Sequence, residues 1–519
     1  MLVGCFFCER RTNRMMTILS FLPILALLLC LLLLKMPAGK AGAVALITAV
    51  TVCIFTFKPG VVGLSISMAK GFGLAMFVIF IIWGAMFLYN LVKEVGALQV
   101  INSNISVIVE DRFLQFILLS WIFASFLQGI AGFGVPVIVA TPILIGMGFD
   151  PVASAAAVLV GHSWSISFGS MGSSISAIDM VTEAELHEIV FYMAIFGTVA
   201  MVVTGLTVCA IYDGKKGLLK GLPYILILSA VMGATLLLLA ALDMTSVMGL
   251  ISGLVGMFAL LIVYNLQNRG KERKPFYKSE INLLEAVLPY ILIICLSVGF
   301  FIISPQLKIE LDFPGYTSMT GVVIEPEEGY TSFNVLKYPF CIIMMASLLS
   351  GILYWKKKVL NKEILKNIVD ATVKKCTATT ITLVFLLVMA QIMMDSGMID
   401  NLAAFLVSAT KEMYPFVAPY IGLLGAFVTG SNTNSNVLFG NLQETAAAAL
   451  GVSTAMMCAV QSIGASIGGG IGPTTVALGA TAAQVVGQES LIYKKTLVPI
   501  IIGATVLGFC NLVLIHCFG

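Results

Sequence analysis

The chain has 519 residues; 59% of them are hydrophobic and 11% are charged. A soluble protein carries about 25% charge, so a water-surrounded globule is excluded. The net charge of +3 says little by itself, because its meaning depends on where the charges sit.

The apolar residues come in long runs. "MTILSFLPILALLLCLLLL" (16–34) and "FGLAMFVIFIIWGAMFLY" (72–89) are typical, and about 20 such residues are what a helix needs to cross a bilayer. Roughly 12 to 14 runs of this kind predict an all-α polytopic membrane protein, since lipid cannot satisfy an open backbone. Arg10, Arg11 and Arg14 precede the first run, which is too long for a secretory signal core and reads as the first span. Cys5 and Cys8 have zinc-ligand spacing but no second pair and no nearby histidine, so the cysteines read as small hydrophobes.

Further along, four polar and glycine-rich stretches interrupt the apolar runs. The first is "QGIAGFGVP" (128–136). Its glycines Gly129, Gly132 and Gly134 let the backbone unwind, and Pro136 suits the first turn of a new helix. The second, "GHSWSISFGSMGSS" (161–174), carries His162, the one histidine inside a predicted span. An ionisable group at membrane depth is a functional candidate; a neutral histidine bonded to a serine is the competing reading. An acidic outer loop follows at 179–188, and the span 189–212 ends inside at "DGKK".

Basic segments at 268–278 and 356–375, the latter with seven lysines, mark the cytoplasm, and 304–333 with its "EPEE" reads as an outer loop. The third polar stretch, "TGSNTNSNVLFGN" (429–441), predicts a re-entrant tip, and the fourth, "QSIGASIGGGIGPTT" (461–475), predicts a helix that ends in glycines and restarts at Pro473. Sequence alone leaves open whether 133–150 crosses the membrane or turns back.

A shift of 303 residues lays Gly148 on Gly451, Ser163 on Ser466 and Gly169 on Gly472. Both halves then read as a span, a polar break, an apolar piece and a second break. The span 189–212 runs inward and its counterpart 496–515 follows Lys494 and Lys495 outward, as two inverted repeats with discontinuous helices require. The expected division is 1–70 amino-terminal spans, 71–212 first repeat, 213–335 connecting spans and outer loop, 336–519 second repeat.

Broken helices expose N–H groups that attract carboxylates and C=O groups that attract cations. The expected substrate contacts are therefore Gln128, Gly132, Gly134, His162, Ser163, Ser173, Ser431, Asn432, Thr433, Asn434, Ser435, Asn436, Ser466 and Thr474. No P-loop, dinucleotide fingerprint, nucleophile–base pair or metal set occurs. The chain is therefore expected to be neither an enzyme nor a user of ATP, nor a partner of nucleic acid. The alternative to a transporter is a passive pore, which would need a polar stripe along several spans.

The stretches "ASFLQGIAGFGVPVIV" (124–139), "SFGSMG" (167–172), "FVTGSNTNSNVLFGNLQ" (427–443) and "VVGQES" (485–490) resemble the L-lactate permease family of bacterial transporters. The resemblance covers nearly the whole chain. It implies a plasma-membrane symporter for lactate or glycolate, within a superfamily whose re-entrant hairpins carry tips like Ser431-Asn432-Thr433. It also implies charges that this sequence lacks: the usual glutamate, aspartate and lysine fall on Gln128, Asn432 and Gly469. The coupling-ion positions are then His162, Asn432 and Gly469, with H⁺ through His162 or Na⁺ on neutral oxygens. No other cofactor is expected, and the exact anion and the oligomeric state are open.

Overall fold

The computed structural model describes residues 14–518 apart from 35, 131, 133, 269–279, 304–306, 319–322, 337, 486 and 487. Arg10, Arg11, Cys5, Cys8 and nearly all of the basic segment 268–278 lie outside the described residues. Nine helices among the described residues are long and apolar enough to cross a membrane. One of them, Leu186–Ala241, is two spans broken at Asp213 and Gly214, where the sequence predicts the first to end. Three further apolar helices are shorter, among them Val135–Gly146. Its 12 residues rise about 18 Å against a hydrocarbon core of about 30 Å. Segment 133–150 therefore turns back instead of crossing.

The same order of pieces occurs twice. The first half runs Arg112–Ile130, Val135–Gly146, Pro151–Gly161, Ser173–Asp179 and Leu186 onward. The second runs Tyr414–Thr429, Asn432–Leu450, Thr454–Gly469, Pro473–Ala482 and Glu489–Phe518. The joints match in detail. Gly148 and Gly451 both have positive φ, at 84° and 69°. Asp150 and Ser453, two residues on in each case, cap the next helix with a side-chain oxygen.

Each helix stops for a local reason. Gly134, at φ 78°, ends the first break, and Pro136 then sits in the first turn of Val135–Gly146, where its missing N–H costs nothing. Gly430, at φ 69°, closes helix Tyr414–Thr429. Ser431 then opens Asn432–Leu450 by accepting the Asn434 N–H.

The second repeat packs backbone against backbone. A Cβ on Gly422 would lie 2.1 Å from the Gln461 carbonyl oxygen, and one on Gly464 would lie 2.2 Å from that of Pro419. Small residues therefore let helices Tyr414–Thr429 and Thr454–Gly469 approach as closely as membrane helices do. Apart from the repeats, helices Gly60–Glu94 and Lys362–Asp395 lie antiparallel. Asn90 Nδ2 donates to Thr372 Oγ1 at 2.9 Å, and Trp83 Nε1 donates to Thr380 Oγ1 at 2.9 Å.

The outer loop 304–333 departs from the all-helical expectation. Strand Lys308–Phe313 pairs antiparallel with Glu327–Asn334, and Tyr316–Thr317 pairs with Val323–Ile324. Outside lipid, hairpin pairing satisfies a backbone that hydrocarbon would confine to helices.

Candidate substrate-binding cavity

The four polar breaks meet. In the first half, the Gly132 N–H donates to Ser170 Oγ at 2.8 Å, tying the first break to the second. Between halves, Asn432 Nδ2 donates to Ser167 Oγ at 2.8 Å, and Ser174 and Thr433 share a hydroxyl bond of 3.1 Å. Ser466 Oγ donates to the Ser163 carbonyl at 2.6 Å, joining the very pair that the internal repeat aligns.

At this junction lies a cavity of about 290 Å³, lined from all four breaks and from helix Lys362–Asp395. Its size is near the lower end for small-molecule pockets. Helix Asn432–Leu450 begins at its wall. Ser431 satisfies the N–H of Asn434, which leaves those of Asn432 and Thr433 with no acceptor inside the helix. The start of Pro473–Ala482 supplies Thr475 to the same wall, and Gly472 caps that helix without a side-chain bond. Two helix starts thus face one cavity, an arrangement that favours negative charge.

The side chains around it are almost all neutral, and no carboxylate is among them. Gln128 is buried and hemmed in by Gly132 and Gly169. His162 ends helix Pro151–Gly161, where Nδ1 bonds the Val158 carbonyl. That bond fixes Nδ1–H and leaves Nε2 as the ring nitrogen able to take a proton. Asn432 is 2% exposed, and its Oδ1, like the amide oxygens of Asn434, Asn436, Gln443 and Asn511, has no hydrogen-bond partner. Gly469 brings only backbone, at the carbonyl end of helix Thr454–Gly469.

Comparison with known proteins settles the class. The family model described as L-lactate permease matches residues 16–518. The chain belongs to the L-lactate permease family. It is 30% identical to the L-lactate permease of Streptococcus iniae, over 85% of this chain and 93% of that protein. It is 26% identical to the glycolate permease GlcA of Escherichia coli K12, covering 97% and 96% of the two chains. The L-lactate permease of Escherichia coli K12 is 26% identical over 95% of each. Among solved structures, the Alcanivorax borkumensis YdaH transporter aligns with a TM-score of 0.45 at 12% identity, covering 87% of this chain and 88% of that one. The protein is a multi-pass bacterial plasma-membrane permease for a small organic anion and not an enzyme.

In the permease, Gln128, Gly132, Gly134, His162, Ser431, Asn432, Thr433 and Gly469 line the cavity. The other expected contacts sit behind it. Ser163 is buried and bonds Val160, Ser435 bonds Gly422, and Asn436 donates to Ser174 and Ser462. Ser466 is spent on Ser163, and Ser173 starts a helix of only seven residues. Asn434 faces a neighbouring cavity that also holds Lys40 and shares Gly430 and Ser431 with the first. Thr474 is the second residue of its helix, and its side chain lies outside the described set.

Sequence reasoning missed Ser170, Ser174 and Thr475, each one to three residues from a named one, and also Lys375 and Thr379. In the sequence Lys375 reads as one of seven topogenic lysines. The available signal is its spacing: Thr372, Lys375 and Thr379 fall at i, i+3 and i+7, on one helix face.

Proposed function

We propose that the permease takes up L-lactate, or a close 2-hydroxy acid such as glycolate, as a cation-coupled symporter. The observation that carries this reading is the cavity itself: two helix starts converge there on a pocket with no carboxylate to repel an anion. Coupling follows from energetics. A membrane potential of 100 mV, negative inside, opposes entry of a lone monoanion by about 2.3 kcal/mol, or roughly 40-fold in concentration. Carrying one H⁺ or Na⁺ with each anion removes that electrical barrier.

Two features are suited to the cation. His162 Nε2 is the free ring nitrogen on the cavity wall and is placed to carry a proton. The Asn432 Oδ1 and the carbonyl end at Gly469 are oxygens that a sodium ion would accept. Transport is read as rocking of the broken-helix elements against a fixed scaffold.

The test is uptake of labelled L-lactate into proteoliposomes with pH and Na⁺ gradients imposed separately. Accumulation should follow one of the two gradients. Should H⁺ be the coupling ion, His162→Ala abolishes the proton-driven component, and unchanged proton-driven uptake removes the histidine from the route. Uptake that only equilibrates, whichever gradient is imposed, would make the protein a passive pore.

A further inference from the structure

Seven lysines lie between 356 and 375, and six of them are exposed, as expected of a cytoplasmic flank. Lys375 is the exception. It is half-buried and lines the cavity together with Thr379, one helical turn further on. Lys374, its neighbour about 100° around the helix, is exposed and free to extend its charge toward water. Lys375 instead shares the face that carries buried Thr372, whose hydroxyl receives the Asn90 amide.

We propose that the Lys375 ammonium is the charge that holds the substrate carboxylate in this cavity. Three observations support the assignment. Lys375 makes no ion pair with a described residue. No Asp or Glu lines the cavity to neutralise it. The rest of the cavity lining includes amides, hydroxyls and helix starts, which suit the hydroxyl group and the second carboxylate oxygen of a 2-hydroxy acid. An ammonium drawn partly out of water without a counter-ion gains when an anion arrives, so substrate binding is where this charge finds its partner. As a compact charge on a flexible stem, lysine can follow the carboxylate as the site changes its opening.

The inference rests on the monocarboxylate reading above, and the experiment separates the two. Purified full-length protein in detergent is compared by thermal shift with L-lactate and with lactamide, its neutral counterpart. Wild type should be stabilised far more by lactate. Lys375→Met should lose that preference and respond alike to both, with the uptake KM for lactate raised at least about 30-fold. Lys375→Arg should keep the preference, and Lys374→Met should behave as wild type. If Lys375→Met does not fold, Lys375→Gln keeps a polar end and carries the same comparison. A folded Lys375 variant that still prefers lactate to lactamide overturns the assignment. A wild-type protein that responds to neither lactate nor glycolate overturns the monocarboxylate reading, and the assignment with it.

Discussion

Asn432 and Asn436 are four residues apart on one helix face, both buried, yet they do different things. Asn432 lines the cavity and Asn436 does not, although the Oδ1 of each has no hydrogen-bond partner. Both hydrogen bonds of the Asn436 amide nitrogen go to protein, to the Ser174 carbonyl and the Ser462 hydroxyl at 2.9 Å each. Asn432→Ala should therefore raise the uptake KM about tenfold while the melting temperature falls only slightly. Asn436→Ala should cost about 1–3 kcal/mol of stability, because it strips a buried carbonyl of its donor, and leave KM within about twofold. Measuring thermal unfolding and uptake on both variants separates binding from scaffold; equal effects of the two on KM would contradict the division.

For the helices, the question is what lets interrupted pieces stand side by side. Helices Tyr414–Thr429 and Thr454–Gly469 touch through Gly422 and Gly464, with no room for a Cβ at either. Gly422→Ala should drive the two backbones apart at a cost of about 3 kcal/mol and move the cavity wall with them. Gly451→Ala is the informative contrast. That glycine has φ 69°, but no atom lies within 4 Å of the place a Cβ would take, so only backbone strain of about 1 kcal/mol is expected. Yield of monodisperse protein and its melting temperature check both; an equal loss at the two positions would mean close packing is not the reason for Gly422.

Across the whole molecule, the outer ribbon is clamped to the scaffold by a buried charge cluster. Lys70, fully buried in helix Gly60–Glu94, meets Glu327 of the ribbon at 3.1 Å and lies 5.1 Å from the Tyr330 ring centre. Tyr330 donates to Gln391, Gln391 to Asp395, and Ser67 also to Asp395. Removing one partner of such a pair strands the other, and the two partners are not equally stranded. Glu327 is partly in water, with 38% of its side chain exposed. Glu327→Ala leaves a buried cation and should cost about 2–3 kcal/mol. Adding Lys70→Met to it should recover most of that loss, which a double-mutant cycle by thermal unfolding would measure. Failure of the second change to recover stability would show that Lys70 is held by Asp395 and not by the ribbon.

What the sequence determined by itself is the class and the punctuation. Hydropathy forces helices, because lipid offers the backbone no partners. Gly134, Pro136, Gly430, Ser431, Gly472 and Pro473 mark breaks, since each residue type suits one side of a helix end and not the other. Those signals are local and can be read one turn at a time. Which polar side chains face the cavity is not local. Ser435, Asn436 and Ser466 are as polar as Ser431 and Asn432, but they bond partners 13 to 303 residues away and sit behind the cavity. Lys375 looks like its six neighbours until helix packing turns its face inward. The small ribbon in the outer loop is decided by pairing between strands about 20 residues apart. Tertiary structure alone settled these points, because a hydrogen bond or an ion pair depends on where the partner ends up and not on how far away it lies in the chain.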